Sequence, residues 1–424
     1  MNTLKLVWNN KALMNKIWFT LFAFALYRVA VFIPMPMISV PESLFDNDLL
    51  GIFNSFSGGA LKNFSVIALG VGPYITASIV IQILQMDIIP ILKEWSEEGE
   101  AGKQKITQLT RYLAIFLAFV QALAMTIGID ALSVGVLATP LVFVYLALII
   151  TAGTAFLLWL GDQITMRGIG NGVSMIIAAG IISGMPNMYR TLWAQYVSNI
   201  NANWETYITF GVIVLMMVIV LLGIIYLQAV VRKVPIQYAN RQGAAKLRGR
   251  SESNVPIKLN SAGVIPVIFA STILAVPLSV IGYMDLSAGS IGIFTQIFSY
   301  AKPIGYVIYV FLIFIFTFFY AFMQVNPEKI SDNLSKQNAF VPGIRPGEDT
   351  EIHLSKILFK VTLLGALYLT VVASIPIFAT WIFNLPSIVQ VGGTSLLIVV
   401  GVAVETFKQI QTEANKQEYK GFIK

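Results

Sequence analysis

Cysteine is absent from this chain, and histidine occurs once, at His353. The first absence excludes disulfides, thiolate metal sites and a cysteine nucleophile. The second leaves too little for a histidine zinc site or a Ser-His-Asp triad. No P-loop or other nucleotide motif is present. No cofactor, no metal and no enzymatic activity are therefore expected. Charge is scarce as well: Asp, Glu, Lys and Arg make up 12% of the 424 residues, against about 25% in a soluble globular domain.

Apolar side chains fill the gap, at 57% of the chain with a mean hydropathy of +0.77. A chain this apolar needs lipid as its solvent. A span needs about 20 mainly apolar residues. Ten segments approach this, at 17–36, 66–85, 109–129, 139–160, 172–186, 207–230, 259–282, 303–324, 356–378 and 388–407. The fifth is short and carries Gly180 and Gly184. The stretch 49–65 is amphipathic and too polar to span.

The net charge of +7 suggests nucleic acid in a soluble protein. Here its distribution reads as topology. Placing the N-terminus inside leaves only Lys62, Arg190 and Lys302 on the outer side and Arg28 within a span. Every other Lys and Arg falls in or beside an inner loop or terminus, as the positive-inside rule requires. Both termini are thus expected in the cytoplasm. The expected fold is an all-α membrane protein of ten transmembrane helices. Division near Asn203 gives five spans in 1–203 and five in 204–424. An odd number per half makes the halves enter from opposite sides, so a shared fold would be an inverted repeat with a path between them.

Intramembrane charge marks ion coupling or substrate binding, and Arg28 is the only charge well inside a span. Asp162 and Glu405 sit at cytoplasmic ends. This weakens a second reading, a secondary transporter of small solutes. A third reading is an insertase or scaffold without a channel. The spans hold Gly, Pro and hydroxyl residues instead. Gly70, Gly72 and Pro73 should break segment 66–85, and freed backbone at that depth must be buried in protein or face water. Thr76, Ser78, Gln82 and Gln85 add polarity to its cytoplasmic half.

Two inner loops read as docking surfaces. Loop 231–258 has seven basic residues and one acidic, which suits RNA phosphate or an acidic protein but is also a plain topology signal. Loop 325–355 carries Phe340-Val341-Pro342-Gly343-Ile344-Arg345-Pro346-Gly347. Two prolines and two glycines around one Arg predict a stiff tip, and a fixed guanidinium suits bidentate recognition.

Seven stretches in order resemble the SecY/Sec61-alpha family, which forms the channel of the Sec protein translocon. They are Phe56 to Leu61, Gly72 to Ser78, Trp159 to Thr165, Gly168 to Gly172, Asn260 to Pro266, Phe340 to Gly347, and Gly392 to Ile398. Each is weak alone, and together they cover nearly the whole chain. The resemblance implies a protein-conducting channel in the bacterial plasma membrane, with two pseudo-symmetric inverted halves around an hourglass pore. It places an apolar pore ring on Val71, Ile75, Val173, Ile177, Ile268 and Ile398. All six are β-branched and stiff at χ1. Stretch 49–65 becomes a plug under the ring, with Phe53, Phe56, Gly58 and Gly59. Spans two and seven become a lateral gate for signal sequences, lined by Thr76, Ser78, Ile79 and Gln82. The two loops become the docking surface for the motor ATPase SecA and the ribosome, with Arg345 foremost, then Arg232, Lys233, Arg248 and Arg250. The small subunits SecE and SecG are the implied membrane partners.

Overall fold

A computed structural model describes residues 10–36, 59–60, 63–85, 88–133, 140–198, 204–238, 253–282, 288–383 and 387–420. In chain order its helices begin with α1 (Lys11–Val31), α2 (Gly72–Leu84), α3 (Pro90–Glu97), α4 (Glu100–Ser133), α5 (Pro140–Arg167), α6 (Gly172–Tyr196) and α7 (Trp204–Ala229). Strands β1 (Val231–Tyr238) and β2 (Ser253–Lys258) follow, then α8 (Ile265–Gly282), α9 (Ala288–Phe298), α10 (Pro303–Gln324) and α11 (Pro327–Lys336). Last come β3 (Ala339–Phe340), α12 (Glu348–Phe383) and α13 (Ser387–Lys420). Each of the ten apolar segments lies at least in part on a helix. Among the described residues, 6 helices are long and apolar enough to cross a membrane. Two shorter apolar stretches, Gly72–Leu84 and Ile265–Pro277, lie on α2 and α8.

Local chemistry sets several helix ends. Residues 66–71 form turns, Gly70 has φ +58°, and Pro73 sits in the first turn of α2, where its missing N–H is not needed. Asn171 caps α6, its Oδ1 accepting from the N–H of Val173 (3.1 Å) and Ser174 (3.3 Å). The Asn260 side chain donates to the Gly263 carbonyl at 2.8 Å. Gly263 has φ +67°, so segment 259–282 becomes helical only at Ile265.

The fifth segment is longer than expected. Helix α6 continues through Pro186 to Tyr196. Proline removes one helical N–H, but Met188, Leu192 and Tyr196 beyond it are buried against Ile213 and Met217 of α7. That burial outweighs the lost bond.

The ends of the helices sort onto two faces. On one, Leu13 and Ile17 of α1 meet Ile169 and the α13 residues Ile410 and Ala414. The Lys16 ammonium pairs with Glu413 there at 2.9 Å. Also at this end, Lys408 donates to the Gln228 carbonyl at the end of α7, 2.6 Å away. On the other face, Met35 beyond α1 packs with Phe64, Met125 of α4 and Leu146 of α5. The end of α6 and start of α7 meet Ala379 of α12 and Leu396 of α13.

The two inner loops are not separate. Strand β1 pairs antiparallel with β2, from Val231 opposite Lys258 to Ile236 opposite Ser253. It also pairs with β3, through Gln237 opposite Phe340 and Tyr238 opposite Ala339. Val234, Ile236 and Ile257 point inward and join Leu334, Val341, Leu354 and Leu358 in one core. The all-α membrane class holds, with one addition outside the spans: a three-stranded sheet binds the loops to the start of α12.

Candidate functional site

Several helix contacts join the first half of the chain to the second, and two of them concern the expected ring. Helix α2 packs on α8, and α6 packs on α13. These four helices carry the six residues of the expected pore ring. Val71 is the N-cap of α2, and the Ile75 N–H donates to its carbonyl at 3.2 Å, which stacks the pair one turn apart. Val173 and Ile177 repeat this spacing on α6. Ile268 lies in the first turn of α8 and Ile398 on α13. All six belong to one contiguous apolar cluster, with Val71, Ile177, Ile268 and Ile398 buried and Ile75 and Val173 partly so. A Val173 methyl also lies close to Gly161 of α5, so that side chain leans on its own half.

Of the plug stretch, Phe53, Phe56 and Gly58 lie outside the described residues. Gly59 has φ +89°, a conformation that suits glycine. Its carbonyl accepts from the Asn63 N–H at 3.1 Å, and that of Ala60 accepts from Ser65 at 2.9 Å. Ala60 is fully buried in the cluster that holds the six ring residues.

The seam at α2 is polar at one end. Gln82 Nε2 donates to Ser78 Oγ at 2.8 Å. The Tyr320 hydroxyl, from α10, donates to Gln82 Oε1. The Tyr320 ring stands edge-on to Phe269 of α8, with centroids 5.1 Å apart. Ile79 is buried. Thr76 instead donates to the Gly72 carbonyl within its own helix, at 3.2 Å. Tyr320 was absent from the expected gate. A tyrosine inside an apolar span needs a partner for its hydroxyl, and that was the available signal.

The docking tip is ordered by its backbone. The Ile344 N–H donates to the Val341 carbonyl at 3.1 Å across Pro342 and Gly343. Gly343 has φ +83°, as the third position of a type II turn requires. The Arg345 carbonyl accepts from the Thr350 hydroxyl, and that of Gly347 from Ser331, both at 2.7 Å. Arg345 itself is exposed. Arg232 and Lys233 are exposed on β1. Arg248 and Arg250 lie outside the described residues.

The charges near the spans have local partners. Arg28 lies over the Phe32 ring at 4.6 Å. Asp162 pairs with Arg111 at 2.8 Å. At the end of the last span, burial and then the charge of Lys258 lower the proton affinity of Lys408.

A sequence model of the SecY family matches residues 65–407. The protein translocase subunit SecY of Staphylococcus carnosus is 45% identical over 423 residues, covering 97% of both chains. That of Bacillus subtilis is 43% identical over 417 residues, covering 97% of this chain and 96% of its own. The chain belongs to the SecY family. The seven motifs thus led to the right family. Solved structures agree on the SecY fold. One described as "The structure of a protein conducting channel" has TM-score 0.64 and 19% identity, with 95% of this chain and 92% of that chain covered. Another, described as Sec61 in a canine ribosome-channel complex, has TM-score 0.61 and 18% identity, with the same coverage. This SecY-family chain is a multi-pass helical membrane protein.

Proposed function

We propose that this chain is the protein-conducting channel of a bacterial plasma membrane, passing unfolded polypeptides across it and releasing apolar segments sideways into lipid. One observation carries the reading. Helix pairs α2 with α8 and α6 with α13 are among the contacts that join the two halves of the chain. All six ring residues stand on them within one apolar cluster. An apolar constriction between two separable halves excludes water at rest and yields to a chain of any sequence. It offers no hydrogen bond that would favour one substrate.

In this reading residues 1–203 and 204–424 are inverted halves with ten spans. Both termini are cytoplasmic, supported by the Lys16–Glu413 pair and the basic loops on the same face. Stretch 49–65 is the plug. The seam between α2 and α8 is the lateral gate. SecA or the ribosome docks on the sheet and the Arg345 tip, and SecE and SecG hold the halves from the lipid side. The partner supplies the energy.

The test is a photoreactive residue at position 75 in membranes carrying a stalled secretory chain. Cross-links should form to the translocating segment and disappear when that chain is released. A stalled chain that never labels position 75, while labelling the exposed docking loops, would sink the channel path.

A further inference from the structure

Helix α12 has a second working face. Its buried face, Leu354 and Leu358, holds the core under the sheet. Its other face, together with Phe322 at the end of α10, lines a surface cavity of about 410 Å³. Ile352, Ser355, Lys356, Phe359 and Lys360 come from one face of α12, three and four residues apart. Ile352 and Phe359 are exposed, at 44% and 52%. Among the described residues neither lysine has a carboxylate within ion-pair distance.

Like charges four apart destabilise a helix unless an anion lies between them. Two unpaired ammonium groups above an open apolar wall fit a ligand with an anionic end and an apolar end. The apolar wall continues away from the lysines. Phe359 meets Phe318, with ring centroids 5.2 Å apart, and Phe318 meets Phe314 at 6.1 Å. Beyond them on α12, Leu364 and Leu367 are exposed at 61% and 48%. An acidic peptide would satisfy the lysines and leave this track bare. A lipid satisfies both.

We propose that this cavity binds an anionic phospholipid of the cytoplasmic leaflet, with its phosphate between Lys356 and Lys360 and one acyl chain on the Phe359–Phe318 track. Glu351 also lines the cavity, and it accepts from hydroxyls of a glycerol headgroup. Basic pockets between helices at this surface are suited to such headgroups. The site lies directly under the docking tip, because α12 starts one residue after Gly347. A bound lipid therefore braces the base of that tip against α10.

The inference rests on the proposed membrane placement of α12. The test uses the full-length protein, with its native subunits, in nanodiscs. The probe is phosphatidylglycerol with a photoreactive acyl chain, and the labelled peptides are mapped. Label should fall on Phe359 and Phe318. It should drop about tenfold when Lys356→Gln and Lys360→Gln are combined, and persist when both are replaced by Arg. The matching phosphatidylcholine probe should label Leu364 and Leu367 equally in all variants and spare the cavity. If it fails to reach those leucines, the membrane placement itself fails. If it reaches them while phosphatidylglycerol shows no preference for the cavity, the lipid site alone is overturned. Full competition by inorganic phosphate, or blockage of the cavity by a co-purified protein subunit, also overturns it.

Discussion

The Tyr320 hydroxyl donates to the side-chain carbonyl of Gln82 across 238 residues of sequence. This bond ties α10 in the second half to α2 in the first. Gln82 passes the link to Ser78, and the Phe269 ring of α8 fixes the Tyr320 ring. A polar chain thus closes the seam where the apolar helices would otherwise part at little electrostatic cost.

Tyr320→Phe removes the donor and leaves the Gln82 carbonyl partnerless. Gln82 is half-buried, so the lower part of the about 1–3 kcal/mol cost of a buried unsatisfied group applies, and 1.4 kcal/mol is tenfold in an equilibrium. The seam should therefore open about tenfold more often. The chain has no cysteine, so Ile79→Cys reports without background. Its modification by a small maleimide should quicken about tenfold in the Tyr320→Phe variant. An unchanged rate would show that this bond does not hold the seam. Adding Gln82→Leu should recover part of the effect, because it removes the orphaned acceptor.

The ring makes a different prediction. Ile75→Gly, Ile177→Gly and Ile398→Gly together remove three β-branched side chains from the shared cluster. The membrane should then leak small ions in planar-bilayer recordings with no substrate present. Conductance at the level of the unaltered protein would contradict the ring assignment. Because truncating a buried side chain such as Ile177 or Ile398 costs about 2–5 kcal/mol, insertion must be confirmed by protease mapping of the loops. Leu369→Ala, in the same cluster on α12, should destabilise similarly without a leak.

Arg345→Glu reverses one exposed charge without touching the backbone bonds that order the tip. Surface changes of this kind stay within about 0.5 kcal/mol of neutral, so thermal stability should hold. If the proposed docking runs through the Arg345 guanidinium, motor-driven export in reconstituted vesicles should fall at least about tenfold, because a charge-assisted contact would turn to repulsion. Normal export would remove the tip from the docking surface. Thr350→Ala should weaken export less, because it loosens the Arg345 carbonyl and leaves the guanidinium in place.

Much of this was legible in the sequence because lipid enforces a simple code. Long apolar runs and the asymmetry of Lys and Arg are strong signals, and the break at Gly70-Gly72-Pro73 followed from backbone geometry. The sheet was not seen, although Val234, Ile236 and Tyr238 alternate with polar or proline residues as a half-buried strand does. Its two prolines, Pro235 and Pro256, and its basic residues read as loop. Pro235 is tolerated because β3 reaches only Gln237 and Tyr238, leaving one partner strand beside the proline. Tyr320 was missed for another reason. Periodicity places a residue on a face but does not say which distant side chain it meets.

Two glycines of α6 separate close packing from mere composition. A Cβ added at Gly172 would sit 1.8 Å from the Gly161 carbonyl oxygen of α5, whereas one added at Gly184 meets nothing within 4 Å. The first contact is with backbone and cannot be relieved by a rotamer change. The Gly172 N–H also donates to Thr165 Oγ1 at 2.9 Å, so moving the helix away breaks that bond too. Gly172→Ala should cost about 1–3 kcal/mol or more as an overpacked contact. Gly184→Ala should be neutral or stabilising by up to about 1 kcal/mol from helix propensity. In the same lipid the unfolding temperature should therefore fall for Gly172→Ala and hold or rise for Gly184→Ala. Equal shifts would mean that α5 and α6 do not meet through Gly161 and Gly172, and the close approach of Val173 to Gly161 would lose its support.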